Sequence, residues 1–135
     1  MERPQNIRLA QDLLAALSDG RHPDEIAGMF SRDASFEIPG DDGVLPWIGH
    51  RAGRQAIVDF IAGTRSATEL LSFDVEDILA GDVRAVIVGE LASRVKATDK
   101  VVETAFAIIL TIAGDQITRF QMLEDSFAVS LAARL

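Results

Sequence analysis

A chain of 135 residues with 48 % hydrophobic and 25 % charged residues has the length and balance of one globular domain that buries a hydrophobic core. The formal net charge of −8 argues against nucleic acid as a partner, because binding to phosphates requires a basic surface. The sequence has no cysteine, which excludes disulfides, thiolate catalysis and zinc sites with cysteine ligands.

Metal, cofactor and membrane binding are also unexpected. The two histidines, His22 and His50, lack the close spacing of histidine metal ligands. No stretch approaches the ~20 apolar residues of a membrane helix, and the N-terminus lacks the apolar segment of a secretory signal. The sequence therefore predicts a soluble cytoplasmic protein that uses no metal or cofactor and does not enter a membrane.

Three helices are predicted in the first half of the chain. Residues 4–18 place leucines at helical spacing after a proline that suits a first turn, and Gly20 ends this helix. A short second helix is expected over 23–31, because Pro23 and two acids favour a helix N-terminus. The third helix is predicted over 54–62, where three large apolar residues form one stripe.

A short strand and a loop separate the second and third helices. Phe36 and Ile38 alternate with polar residues, and the Pro-Gly pair that follows ends the strand. The next segment is rich in turn residues and contains Trp47 and His50. A lone tryptophan usually belongs to a core and a lone histidine is usually structural, yet irregular loops beside a cavity often hold ligands.

Four strands joined by tight turns are predicted in the second half. The runs rich in β-forming residues are 71–81, 82–97, 100–114 and 115–125, separated by Gly-Asp or Thr-Asp pairs that suit hairpins. Helices followed by a meander of strands predict an α+β fold in a single domain, residues 1–135. Its three N-terminal helices are expected to pack on one face of an antiparallel sheet.

Two-residue turns would fix the register of these strands. Counting outward places Arg94 opposite Glu103 and Ala105 opposite Glu124, and residues two apart share a face. A β-bulge would exchange some of these positions, so whether Glu124 or Asp125 points inward stays open. One predicted face holds Glu90, Arg94, Glu103, Ala105, Ala107, Met122 and Glu124. The other holds Thr104, Phe106, Ile108, Leu110, Gln121, Leu123 and Asp125.

The segment "TAFAIILTI", residues 104–112, is apolar on both faces of its strand. An antiparallel sheet with one wet face would alternate more cleanly. Three helices can cover only one face, so we expect a second copy of the chain to cover the other. The sequence therefore predicts a homodimer formed through the sheet face.

The adjacent acids Glu124 and Asp125 stand where the last apolar strand ends. Neighbouring strand residues point to opposite faces, so only one acid can enter a pocket and act there as a general base. The alternative is that the strand simply ends, and Asp125 or Ser126 caps a short last helix. Arg94 and Glu103 are either a surface ion pair or a pair that orients a substrate and tunes an acid.

The chain resembles the SnoaL-like, ketosteroid-isomerase-related branch of the nuclear transport factor 2-like superfamily. The resemblance rests on "AQDLLAALSDGRHPDEIAGMFSRDASFEIPG", then "WIGHRAGRQAIVDFI", then strands that end in "ITRFQMLEDSFAV". It implies a cone-shaped α+β barrel in which a curved sheet encloses a pocket, and dimers that form through the sheet. The superfamily includes isomerases, cyclases, epoxide hydrolases, dehydratases and non-enzymatic binders, so the fold does not select an activity.

The resemblance to ketosteroid isomerases fails at the residues that act in them. Ile38 stands where those isomerases have an aspartate, Ala107 stands roughly where they have a protonated aspartate, and the chain has no tyrosine. The cyclase and epoxide-hydrolase branches are more similar at Asp125, which matches their late acid and general base. Arg94 and Glu103 loosely imitate the Arg/Asp pair of the hydrolases.

We therefore expect a small-molecule enzyme of the SnoaL-like type, with isomerase, cyclase, lyase or hydrolase chemistry on an apolar substrate. Asp125 or Glu124 would be the base, and Arg94 with Glu103 would orient it. A non-catalytic protein that binds a small apolar ligand, and an interaction module, are the alternatives. The residues expected to contact the substrate are Trp47, His50, Met122 and Phe36.

Overall fold

Four helices and six strands make up residues 2–135, the part of the chain that the computed structural model describes. The helices are α1 (Arg3–Ser18), α2 (Pro23–Ala27), α3 (Arg54–Ala67) and α4 (Ser126–Ala133). The strands are β1 (Phe30–Ile38), β2 (Gly49–Ala52), β3 (Thr68–Ala80), β4 (Arg84–Val95), β5 (Lys100–Ala113) and β6 (Gln116–Glu124).

The six strands form one sheet in the order β2-β1-β6-β5-β4-β3. The predicted α+β fold, with N-terminal helices on a curved sheet, is confirmed. The prediction of an antiparallel sheet is wrong at one place, because β1 and β6 pair in parallel. These two strands come from opposite ends of the chain, and the helix and strands between them form the long connection that a parallel pair needs.

Several element boundaries differ from the prediction. Helix α2 ends at Ala27 and the chain enters β1 at Phe30, so the predicted 23–31 helix was too long. Helix α3 continues to Ala67 through Gly63, where an added Cβ would lie 3.1 Å from the Trp47 ring. Strand β2 lies within the segment predicted as a loop.

Helices α1 and α3 cover one side of the sheet, which we call the inner face. Leu13 of α1 and Ile57 of α3 are each 2 % exposed, and Ile87 and Leu110 of the sheet are fully buried. Burying a side chain of this size stabilises a fold by roughly 1.5–3 kcal/mol. The inner face therefore contains the hydrophobic core, and we call the opposite side of the sheet the outer face.

The turn between β4 and β5 is longer than predicted. Val95 pairs with Lys100, so four residues form the connection, and Asp99 takes a left-handed conformation at φ 61°. Arg94 consequently faces Val101, and the predicted pairing of Arg94 with Glu103 is wrong. A shift of two residues leaves side chains on the same face, so both charged residues remain on the outer face.

The turn between β5 and β6 is as predicted, but the strands then slip by one residue. Ala113 pairs with Gln116, while an irregularity at Thr118 follows, between the Ile112–Ile117 and Thr111–Arg119 pairs. Phe106 rather than Ala105 therefore lies opposite Glu124. A one-residue slip exchanges the faces of a strand, so the predicted faces for 121–125 were wrong.

Gly89, in the middle of β4, allows two strands and an aromatic ring to come close together. A Cβ at this position would overlap the backbone carbonyl of Asp74 and lie 3.0 Å from Cζ of Phe106. Phe106 instead stacks on Phe73 of β3, with 4.7 Å between the ring centroids and 25° between the planes. Glycine inside a strand is typical of such close approach.

We expect Gly89→Ala to lower the free energy of unfolding by about 2 kcal/mol, because the added methyl group overlaps backbone that cannot move freely. Gly81→Ala is the matched control, since a Cβ there meets no atom within 4 Å. Urea unfolding followed by circular dichroism measures both variants. Equal stability of the two variants would contradict this account of Gly89.

Candidate functional site

One row of paired residues crosses four strands on the inner face and ends at a carboxyl group. Val75 pairs with Gly89, Gly89 with Phe106, and Phe106 with Glu124, the last residue of β6. Met122 lies two residues before Glu124, so it points to the same face, and it is 9 % exposed. The sheet therefore brings Glu124 into an apolar environment.

The aromatic ring of Phe106 leans away from Glu124. The ring occupies the space where a side chain at position 89 would lie, and it stacks on Phe73. It therefore extends over β4 towards β3. Val75, in the same row on β3, is 40 % exposed, and Glu124 is itself only partly buried. The row is therefore apolar but open enough to be reached from outside.

Glu124 has neither a hydrogen bond nor an ion pair from its side chain to any other residue in the range 2–135. Desolvation by burial raises the pKa of its carboxyl group from 4.5 to about 7, because an ionised carboxylate is poorly solvated there. At neutral pH the group is thus present in both protonation states. This is the property that an acid or base needs to exchange protons with a bound molecule.

Asp125 has a different role from its neighbour. Its side chain accepts a hydrogen bond from the backbone N–H of Ala128 at 3.0 Å and caps the N-terminus of α4. The structure thus shows the alternative in which Asp125, rather than Ser126, caps a short last helix. The hydroxyl of Thr104 accepts a hydrogen bond from the Asp125 N–H at 2.8 Å and fixes the chain where β6 changes into α4. Asp125 is exposed, and its carboxylate is already engaged as the cap.

Side-chain hydrogen bonds from two loops hold helix α4 in place. The Asp41 carboxylate, from the loop after β1, accepts hydrogen bonds from the Ser130 hydroxyl at 2.6 Å and from the Arg134 guanidinium. These bonds, with the one from Ser130 as the larger cause, lower the pKa of Asp41. Thr98 donates a further hydrogen bond to the backbone carbonyl of Ala132 at 2.6 Å. These hydrogen bonds hold α4 against the loop after β1 and against the turn between β4 and β5.

Two depressions lie beside these residues. The larger, of about 550 Å³, is lined by residues 103–107 of β5 and by residues 123–125, which include Glu124. The smaller, of about 310 Å³, lies over β3, β4 and β5 on the outer face and includes Asp74, Glu90 and Glu103 in its lining. The larger depression is therefore the one whose wall contains the carboxyl group with the raised pKa.

Arg94 and Glu103 lie on the opposite face of the sheet from Glu124, although Glu103 also belongs to the lining of the larger depression. The guanidinium of Arg94 donates a hydrogen bond to Asp99 at 2.8 Å and lies 3.7 Å from Glu69. The hydrogen bond to Asp99 is the main cause that raises the pKa of Arg94. Glu103 is exposed and pairs with Ala92 on the outer face. Neither side chain shares the inner face with Glu124.

The four residues predicted to contact substrate do not form one group. Met122 lies next to Glu124, whereas Phe36 stacks on Phe120, at 5.2 Å between centroids, further along the inner face. Trp47 is 8 % exposed and meets Phe60 edge-on in the same core. His50 is exposed on β2, where its Nε2 lies 3.0 Å from the hydroxyl of Ser35.

The sequence contains a signal for the close packing of Phe106 and Phe73 over β4. A glycine interrupts the β-forming run "AVIVGELA", and such a glycine often marks a place where another group approaches the backbone. It would have indicated Gly89 and, through it, Phe106 and Phe73. The slip at Thr118 has no comparable signal in the sequence.

Residues 2–135 contain no group of three or more histidine or acidic side chains arranged to hold a metal ion. Of the helices described above, none has both the length and the apolar character required to cross a bilayer.

The fold is that of a class of proteins in which N-terminal helices pack on a curved sheet. Several solved structures have the same fold. An NTF2-like protein from Burkholderia xenovorans superposes with a TM-score of 0.89 at 22 % identity, covering 99 % of both chains. A protein from Rhodopseudomonas palustris, named provisionally as an isomerase, gives 0.76 at 19 % identity and covers 94 % of this chain and 95 % of its own. One from Xanthomonas campestris, named provisionally as a polyketide cyclase, gives 0.76 at 15 % identity, covering 99 % of this chain and all of its own.

The SnoaL-like domain family matches residues 10–120, which is most of the chain. The protein therefore belongs to the SnoaL-like family, and the resemblance seen in the sequence is confirmed. No curated protein matches the sequence significantly. The structural similarities, all below 25 % identity, establish the fold and leave the chemistry to be argued from the site.

The raised pKa of Glu124 makes a prediction about stability. The folded state binds the proton more tightly than the unfolded state, so the ionised carboxylate destabilises the fold above pH 7. This destabilisation disappears as the pH falls from about 7 towards 4.5. We expect Glu124→Gln to raise the free energy of unfolding by on the order of 2 kcal/mol at pH 8 and to change it little at about pH 4.5.

The control for this measurement is Glu76→Gln, since Glu76 is exposed on β3. Denaturant unfolding of both variants and the parent protein, at several pH values, gives the difference directly. A gain for Glu124→Gln that stays the same across the pH range would contradict the desolvation of Glu124.

Proposed function

We propose that the protein is a small-molecule enzyme in which Glu124 acts as a general base and acid, without a cofactor. The substrate class is an apolar carbonyl compound with an acidic C–H bond. In its ionised form Glu124 removes a proton from the carbon next to the carbonyl, which leaves an enolate. The protonated carboxyl group then returns the proton to another carbon, and the product is an isomer.

The observation that supports this proposal is the state of the Glu124 carboxyl group. A general base is most effective when its pKa lies near the working pH, and burial brings the pKa of Glu124 to about 7. The group forms no bond to another side chain of the described residues that would have to break before it reacts. A partly buried carboxyl group combined with accessible apolar surface is typical of catalytic sites.

The apolar wall supports the choice of substrate class. Phe73 and Val75, which are partly exposed, present hydrophobic surface on the side of the sheet to which Glu124 points, beside the buried Phe106 and Met122. A flat, apolar molecule with one carbonyl group would bury its body against these side chains. The provisional names of two similar structures, isomerase and polyketide cyclase, agree with proton transfer at carbon.

The test begins with ligands chosen by binding. Apolar cyclic ketones and β-keto esters that raise the melting temperature of the protein are incubated with it in D2O, and deuterium uptake next to the carbonyl is followed by NMR. We expect uptake to be faster with the protein, and Glu124→Gln to lower the catalysed rate by about 100-fold or more. The rate should rise with pH through about 7, because the ionised form is the base.

Glu76→Gln again serves as the control and should keep the parent rate. If ligands bind equally well to the parent protein and to Glu124→Gln and no deuterium uptake is seen, the enzyme proposal is contradicted. The protein would then be a non-catalytic binding protein. Full activity of Glu124→Gln would instead show that another group is the base.

A further inference from the structure

One corner of the outer face carries a row of polar side chains that crosses the sheet. Arg84 of β4 and Arg119 of β6 both pair with Thr111 of β5. Arg119 pairs in turn with Ser35 of β1. Ser35 points to the outer face, because its neighbour Phe36 is buried on the inner one. The row therefore places two guanidinium groups and two hydroxyl groups on one surface, and we call it the cationic row.

His50 of strand β2, at the edge of the sheet, joins the cationic row through Ser35. Its Nε2 lies 3.0 Å from the Ser35 hydroxyl, and its side chain is exposed. When Nε2 carries a proton, the imidazole donates to Ser35 Oγ, and the O–H of Ser35 is free to donate to another group. The pair therefore offers a hydroxyl donor to an acceptor that lies beside Arg119.

Most donors of the cationic row have no acceptor within the described chain. Arg84 is exposed and forms no hydrogen bond or ion pair with another side chain of residues 2–135, and neither does the Thr111 hydroxyl. Arg119 lies 3.8 Å from Glu37, which is longer than a charge-assisted hydrogen bond. The same Glu37 oxygen accepts a hydrogen bond from Gln121 at 3.0 Å. The row therefore carries more positive than negative charge.

The charge of this corner is opposite to that of the molecule as a whole. The chain has a formal net charge of −8. The acids Asp74, Glu90 and Glu103 of the outer face lie towards the other end of the strands. Glu90 follows Arg84 by six residues along β4, which corresponds to roughly 20 Å. Charges on a surface at this separation are largely screened by salt, so these acids do not neutralise the cationic row.

We propose that the cationic row binds the phosphoryl group of a small phosphorylated molecule. Arg84 and Arg119 lie two strands apart, with about 10 Å between their backbones, and their long side chains reach a phosphoryl group above Thr111 from both sides. Each planar guanidinium can donate two parallel hydrogen bonds to phosphate oxygens. The hydroxyls of Thr111 and Ser35 donate to the same group.

The number of donors favours a phosphoryl group over a carboxylate. A phosphoryl group has three terminal oxygens and a charge of about −1.5 to −2 at pH 7. It can therefore accept hydrogen bonds from several strands and balance both arginines. A carboxylate has two oxygens and a single charge, so it would leave part of the row without a partner.

The two histidines of the chain make NMR a direct test, because only His50 lies in the cationic row. His22 begins helix α2, where its ring accepts a hydrogen bond from the Asp24 N–H. Inorganic phosphate is added to the full chain at constant pH and ionic strength, and the imidazole signals of both histidines are followed. We expect a saturable shift of the His50 signal and no shift of the His22 signal, whereas a change in pH would move both.

Variants of the row show which side chains bind the phosphate. Arg84→Gln and Arg119→Gln should each raise the dissociation constant by about tenfold, because each loses charge-assisted hydrogen bonds. Glu37→Gln should lower it by about threefold, because the acid that competes for Arg119 is removed. Arg8→Gln, an exposed arginine on α1, is the matched control, and Glu124→Gln changes only the inner face. Both should bind phosphate as the parent protein does.

Circular dichroism of each variant shows whether it is folded. The absence of a saturable His50 shift at phosphate concentrations of tens of millimolar would overturn the proposal. Binding that neither arginine variant weakens would overturn it as well. If acetate bound as tightly as phosphate, the choice of a phosphoryl group would be wrong.

Discussion

The site depends on the irregular pairing near Thr118, where β6 slips by one residue against β5. With regular pairing from the turn onward, Glu124 would lie opposite Ala105 and would point to the outer face. The slip places it opposite Phe106, on the side where the helices pack. Because the side-chain period of a strand is two, a single residue decides whether this carboxyl group is solvated or desolvated. The raised pKa of Glu124 therefore follows from the register and requires no charged neighbour.

A second constraint determines the space in front of Glu124. Gly89 leaves the surface of β4 free, so Phe106 can extend over it and stack on Phe73. A larger residue at position 89 would push the ring back towards β6. The apolar wall and the opening beside the carboxyl group thus have a common cause, the absence of one side chain. Asp125 contributes by capping α4, which fixes where β6 ends and the helix begins.

The sequence predicted the α+β fold class, because helical spacing, strand alternation and turn residues act over short distances, and the family followed from the resemblance of three segments. The alternative in which Asp125 or Ser126 caps a short last helix was also visible in the sequence, and Asp125 is the residue that forms the cap. The sequence did not predict the parallel pairing of β1 with β6, which depends on contacts between the two ends of the chain. The four-residue turn before Lys100 and the slip at Thr118 were missed because neither disturbs the local hydrophobic pattern. Because of these two differences in register, Arg94 is not opposite Glu103 as predicted. Glu124 lies on the inner face instead of the predicted outer one.

Strand β5 contributes side chains to both the inner and the outer face of the sheet. Its inner residues, such as Phe106 and Leu110, are large and fill the space under the helices. Its outer residues include Ala105 and Ala107, which leave a flat surface between two charged ends. Isolated apolar residues on a surface need no partner, but here they are contiguous and bounded by opposite charges. The alternation of side chains along one strand therefore gives the two faces of the sheet different chemistry.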